Sequence, residues 1–253
     1  MLRICRELLK GFPSITLEYF LDNCLYVESE GNPMNRQTST KQEILDAALY
    51  LFHLKGYHAT SIRDIANKAK VNPANIAYYF KNKQGLLEYC FMFYLEKYIA
   101  VLERNVVMLE QKGPQQCLVD LVTDILEFQR EYFLAARFIY GESALDTNLN
   151  REIHSTYFMK EKYYFQHLLD EGIKTRVFQS VSVPLYLLQL KSLLTAPVLH
   201  PNYATEVLYV FPQEAYYMNR FADEVKRFIE QTLFHPDHDQ AKLFSRPELF
   251  TGV

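Results

Sequence analysis

The chain has 253 residues, 49% of them apolar, with 8 Gly, 10 Pro and a net charge of -3. It is too apolar for a disordered chain and too poor in turn formers for a many-stranded sheet protein, so an all-α fold is expected. No apolar run reaches the ~18–20 residues of a membrane-spanning helix, and Cys5, Cys24, Cys90 and Cys117 lack paired or metal-ligand spacing, which fits reduced thiols in a cytoplasmic protein.

The charge is unevenly spread. Residues 34–86 carry +5, residues 1–33 carry -2 and residues 87–253 carry -6. One basic segment in an acidic chain is either an electrostatic footprint for a polyanion or a chance cluster of solvated charge.

Residues 1–33 contain short apolar runs without the layout of a cleavable signal, and Met34 then opens a polar lead into a helix. They are either a leader upstream of the natural start at Met34 or an extra helix. The first strong element covers 41–55. Thr40 and Glu43 have capping-box spacing; Ile44, Leu45, Ala48, Leu51 and Phe52 make one apolar stripe, and Gly56 is placed to end the helix in a left-handed conformation. A short helix fits 61–68, capped by Thr60. After Ala69-Lys70-Val71, Asn72 caps a third helix, 73–80, with Pro73 at its first position, where a missing N–H costs nothing. Two short helices joined by a tight turn make a helix-turn-helix, with the motif at about 61–80.

Beyond Lys83 the pattern predicts helices over 83–111, 115–129, 131–142, 147–176, 183–196 and 214–234, about nine in all. The linker 197–213 holds "EVLYVF", extended or helical, and the tail 235–253 has no clear period.

In a helix-turn-helix the second helix lies in the major groove and offers its N-terminal side chains to base edges. Here these are Asn72, Ala74, Asn75, Tyr78 and Tyr79. Asn can pair with adenine and Ala can touch a thymine methyl, while Tyr hydroxyls, Thr60, Ser61 and Lys83 suit phosphates. Adjacent positions on a helix point about 100° apart, so one of the two tyrosines is expected to be half-buried, and Phe80 faces the core. A palindromic site needs two such helices about one DNA turn apart, ~34 Å or a small multiple, which implies a homodimer.

A helix ending in Lys-Gly-Tyr, then "ATSIRDIA", a turn, "NIAYYF" and "KNKQGLL" resembles the N-terminal signature of the TetR family, over residues 40–87. The chain departs from it at Lys70, where the family usually has Gly, at Ala74, where it favours Gly, and at Ala77, where it favours Tyr. The resemblance implies a DNA-binding domain over 34–86 and an all-helical dimerisation and regulatory domain over 87–234. The two long helices at 183–196 and 214–234 would then form the dimer, with Leu187, Leu190, Leu194, Phe221, Val225, Phe228 and Ile229 as interface candidates. Further on, "REIHSTYFMKEKYYFQHLLDEG" and "LQLKSLLTAPVLHPNYATEVLYVFPQEAYY" are similar to a TetR-like branch of Bacillus-type spore formers. That likeness implies a nucleoid-associated protein that restrains assembly of FtsZ, with Arg130, Arg137, Arg151, Lys160 and Lys162 as basic contacts. The alternative is a ligand-responsive repressor whose effector the sequence does not name. The seven histidines show no HExxH spacing, and there is no phosphate-cradling Gly loop or nucleophile elbow. Neither catalysis, a metal nor a cofactor is expected.

Overall fold

The computed structural model describes residues 35–143 and 148–235; the leader 1–33 and the tail beyond His235 lie outside the described residues. Ten α-helices make up the described chain: α1 (Asn35–Lys55), α2 (Ile62–Ala69), α3 (Pro73–Phe80), α4 (Lys83–Val106), α5 (Leu109–Glu131), α6 (Phe133–Glu142), α7 (Asn148–Ile153), α8 (Met159–Lys174), α9 (Val183–Leu199) and α10 (Ala215–Leu233). The fold is all-α, as the composition predicts. The described residues from Glu43 onward make one compact unit.

Three local expectations need correction. Helix α1 begins at Asn35, so Thr40 lies inside it rather than at its N-cap. The predicted break at Gly113-Pro114 is present as a kink, with Gly113 at φ 76°, but α4 has already ended at Val106 and α5 carries the chain through the kink. The helix expected over 147–176 is a continuous run in which a π-helical turn, His154–Phe158, joins α7 to α8.

The predicted stripe of α1 is buried, from Ile44 to Phe52, and Gly56 does take a positive φ of 82° to stop the helix. Helix α4, 24 residues and so ~36 Å long, packs on α3, α5 and α8, and thereby joins the helix-turn-helix to the rest of the unit. Helix α5 is central, touching α4, α8, α9 and α10.

Aromatic rings fill the middle. Tyr94 lies 5.1 Å from the Phe128 ring and 6.1 Å from that of Tyr140, and Tyr94 and Tyr98 are almost fully buried. A charge pair sits among them, Glu161 buried and Lys191 half-buried. Lys191 Nζ is 2.5 Å from Glu161 Oε1, the Tyr98 hydroxyl donates to the same oxygen at 2.5 Å, and the rings of Tyr98, Tyr140 and Phe158 surround the ammonium at 5.2–5.3 Å. The end of α10 is held by Phe234, whose ring stacks on Phe178, while the Gln179 N–H donates to the Leu233 carbonyl at 2.7 Å.

Candidate nucleic-acid interface

The helix-turn-helix is built by its caps. Ser61, not Thr60, caps α2: its hydroxyl accepts the Asp64 N–H at 3.1 Å, and the Asp64 carboxylate accepts the Ser61 N–H at 2.9 Å, a complete capping box. The Ser61 hydroxyl also donates to the Asp64 carboxylate at 2.7 Å, and this bond foremost, with the one from the Ser61 N–H, holds the Asp64 carboxyl below the usual carboxylate range. Thr60 is 1% exposed and turns inward, donating to the Gly56 carbonyl at 2.9 Å. The cap and phosphate roles expected of Thr60 are therefore corrected, because its hydroxyl is committed to the α1 end.

Lys70 closes α2 in the left-handed region, φ 56° and ψ 38°, and the Val71 N–H donates back to Ala66 at 3.0 Å. Asn72 then caps α3 as predicted, its Oδ1 accepting the Ala74 N–H at 2.9 Å, with Pro73 at the first position. Ile65, Ala66, Ile76 and Phe80 are buried between the helices and fix their crossing, and Phe80 meets the Tyr89 ring of α4 at 5.2 Å. Asn82 caps α4 through the Gly85 N–H at 2.9 Å. A Cβ at Gly85 would lie 2.2 Å from the Phe80 carbonyl oxygen, so only glycine lets α3 and α4 approach this closely.

The outward face of α3 follows. Ala74, Ala77 and Tyr78 are exposed, Tyr78 at 76%, and fall within an arc of about 100° around the helix. Asn75 flanks them, half-buried, and Tyr79 is the half-buried tyrosine, its ring 5.0 Å from that of Tyr78. Sequence reasoning marks Ala77 only as a departure from a pattern, although its spacing from Ala74 and Tyr78 puts it on the same face. Lys83 does not extend outward. Its ammonium lies 4.2 Å over the Tyr57 ring and 3.5 Å from the His58 carbonyl, and partial burial lowers its pKa. Tyr57, the tyrosine of the Lys-Gly-Tyr that ends α1, is therefore the platform for this lysine.

On the other side of the unit, four of the seven interface candidates, Leu190, Leu194, Val225 and Ile229, are buried within this one chain at 0–2% exposure. Leu187, Phe221 and Phe228 are half-buried. The outward stripe of α9 instead carries Leu185, Leu188 and Leu199, at 62%, 66% and 45% exposure. Of the basic candidates, Arg130 pairs with Glu127 and Arg137 packs over the Phe133 ring.

A short capped helix, a left-handed turn and a second helix offering a small, uncharged face define a helix-turn-helix DNA-binding regulator. Residues 44–90 match the pattern of bacterial regulatory proteins of the tetR family. The probable HTH-type transcriptional regulator YttP of Bacillus subtilis is 44% identical over 193 residues, covering 76% of this chain and 93% of that protein. RutR of Escherichia coli K12 is 30% identical over 111 residues, covering 44% of this chain and 51% of RutR. Among solved structures, the TetR family regulator PfmR of Thermus thermophilus superposes with a TM-score of 0.63 at 20% identity, over 75% of this chain and 97% of PfmR, which shows the shared fold. The chain belongs to the TetR family of transcriptional regulators.

Proposed function

We propose that the protein acts as a homodimer that reads a palindromic DNA motif with the exposed face of α3. The observation that carries this is the grouping of Ala74, Ala77 and Tyr78, with Asn75 beside them, on a helix docked against α2 and α4. Two small side chains let the helix approach base edges closely, Asn75 supplies a bidentate partner for adenine, and the exposed Tyr78 hydroxyl reaches phosphate. Ser61, Asn72, Tyr79 and Lys83 frame that face. The dimer is built from α9 and α10, with the leucine stripe of α9 and the half-buried Leu187, Phe221 and Phe228 at its edge. Residues 87–253, at -6, face away from DNA because like charge is repelled from phosphate. The test replaces Ala74 and Ala77 with Glu. Binding to a site selected from genomic fragments should be lost with the melting temperature unchanged; retained affinity would overturn the assignment of the face.

A second reading concerns what the bound dimer does. The chain over about 40–234 resembles RefZ, a TetR-like protein of Bacillus-type spore formers that binds chromosomal motifs and restrains FtsZ-ring assembly. Similarity to YttP, a probable HTH-type transcriptional regulator, over nearly its whole length favours the alternative, a ligand-responsive repressor. Mapping binding sites across the genome separates the two roles: several dispersed sites fit division control, one or two promoters fit a repressor. Overproduction in a spore former should then disturb FtsZ rings, and rings left intact would remove the division role.

A further inference from the structure

Nine of the sixteen large apolar side chains that are exposed among the described residues fall between Leu185 and Tyr216. Three are the α9 stripe. The other six, Tyr203, Val207, Leu208, Tyr209, Phe211 and Tyr216, lie on or beside the connection from α9 to α10, at 39–71% exposure. This connection is built. Pro201 and Pro212 are buried and pin its two ends. A π-helical turn, Tyr203–Val207, is closed by the Leu208 N–H donating to the Tyr203 carbonyl at 3.1 Å. Tyr209 then reverses the chain at φ 54°, a region that a bulky residue occupies only where the surroundings hold it, and the Val210 N–H donates to Ala204 at 2.8 Å. The effect is to hold an apolar ridge out in water.

We infer that this ridge is a clasp for a second copy of the same chain, an interaction surface additional to the α9 and α10 helix faces. The inference rests on the homodimer reading above. Three observations choose the occupant. The ridge continues the outward stripe of α9: Leu185, Leu188 and Leu199 fall within about 60° around that helix, and Leu199 leads directly into the connection. Its size fits: with about 200 Å² per large side chain, the six exposed fractions of the connection amount to roughly 700 Å², above the ~300–600 Å² that is the largest patch on a typical monomer. With the α9 stripe the surface reaches roughly 1,000 Å², against the ~800 Å² per partner of a stable interface. Its charge fits as well. Residues 192–219 contain no Lys or Arg and only two acids, Glu206 and Glu214, so the surface can meet its own image across a twofold axis with little repulsion.

The experiment uses the full chain and measures its dimer dissociation constant by sedimentation. The double variant Leu208→Ser/Tyr209→Asn removes the crest while keeping a residue that tolerates the left-handed region. It should weaken dimerisation at least tenfold, while Tyr163→Ser, an exposed tyrosine on α8, should leave it unchanged. Hydroxyl-radical footprinting of the wild type, which needs no variant to fold, should show residues 203–211 protected as the chain passes from monomer to dimer. A wild-type dissociation constant in the double variant, or equal labelling in monomer and dimer, overturns the clasp alone. A wild type that stays monomeric even on its palindrome overturns the homodimer reading, and the clasp with it.

Discussion

The roles proposed for Asn75 and Lys83 differ, and substitution separates them. Asn75→Ala should cost about 1–3 kcal/mol at the preferred site and relax the preference at one base position. Equal loss on preferred and random DNA would make Asn75 a structural or phosphate residue. Lys83→Ala should weaken binding to every sequence alike and flatten the salt dependence by about one unit of slope. An unchanged slope would show that its ammonium stays on Tyr57 in the complex. At this scale, local chemistry was readable and orientation was not. Asn72 followed by Pro73 has one good use, a helix start, and the structure has it there. Thr60 and Ser61 are both competent caps; which hydroxyl turns inward is set by the Gly56 carbonyl at the end of α1, and nothing in the dipeptide reveals it.

Among the elements, α2 depends on its capping box. The folded-state pKa of Asp64 is depressed, so its contribution to stability is fully present above the unfolded value near ~3.9 and fades as the pH falls through the lower folded value. Asp64→Asn should therefore have a lower melting temperature at neutral pH, with the difference from wild type shrinking between about pH 5 and pH 2. Parallel curves would show that the box contributes no pH-dependent stability. Helix existence was readable from periodicity, while helix faces were only partly so. The sequence of α9 is apolar almost all round, so the inward Leu190 and Leu194 could not be told from the outward Leu185 and Leu188 without knowing where α6 and α8 pack. Helix α10 shows the opposite case. Its outer face carries the i,i+3 pairs Asp223–Lys226 and Glu224–Arg227, which leaves its apolar stripe inward.

For the molecule as a whole, the Lys191–Glu161 pair ties α9 to α8 inside the aromatic centre. Lys191→Met strands the Glu161 carboxylate with only the Tyr98 hydroxyl, and should destabilise the fold by about 2–4 kcal/mol in urea titration. Adding Glu161→Leu should recover most of that loss, since the charge needing a partner is then gone. A double variant no better than the single one would mean that the ring cage, rather than the charge pair, holds the two helices. The sequence could not distinguish aromatics that line a cavity from aromatics that fill a core. That depends on ring-to-ring distances such as the 5.1 Å between Tyr94 and Phe128, which close only when α4 meets α5.

The left-handed turn at Lys70 bears on kinetics. A side chain there strains the backbone by about 1–2 kcal/mol relative to glycine, yet the chain keeps an exposed lysine in the turn that leads into α3. Lys70→Gly should raise the melting temperature. It should also slow arrival at DNA, because each cation near the docking face adds to the long-range pull that guides diffusional encounter. Stopped-flow association should show the deficit at low ionic strength and erase it in high salt, where the field is screened within a few ångströms. An association rate equal to wild type in both buffers would mean that the lysine contributes nothing to the search, leaving its strain without a benefit.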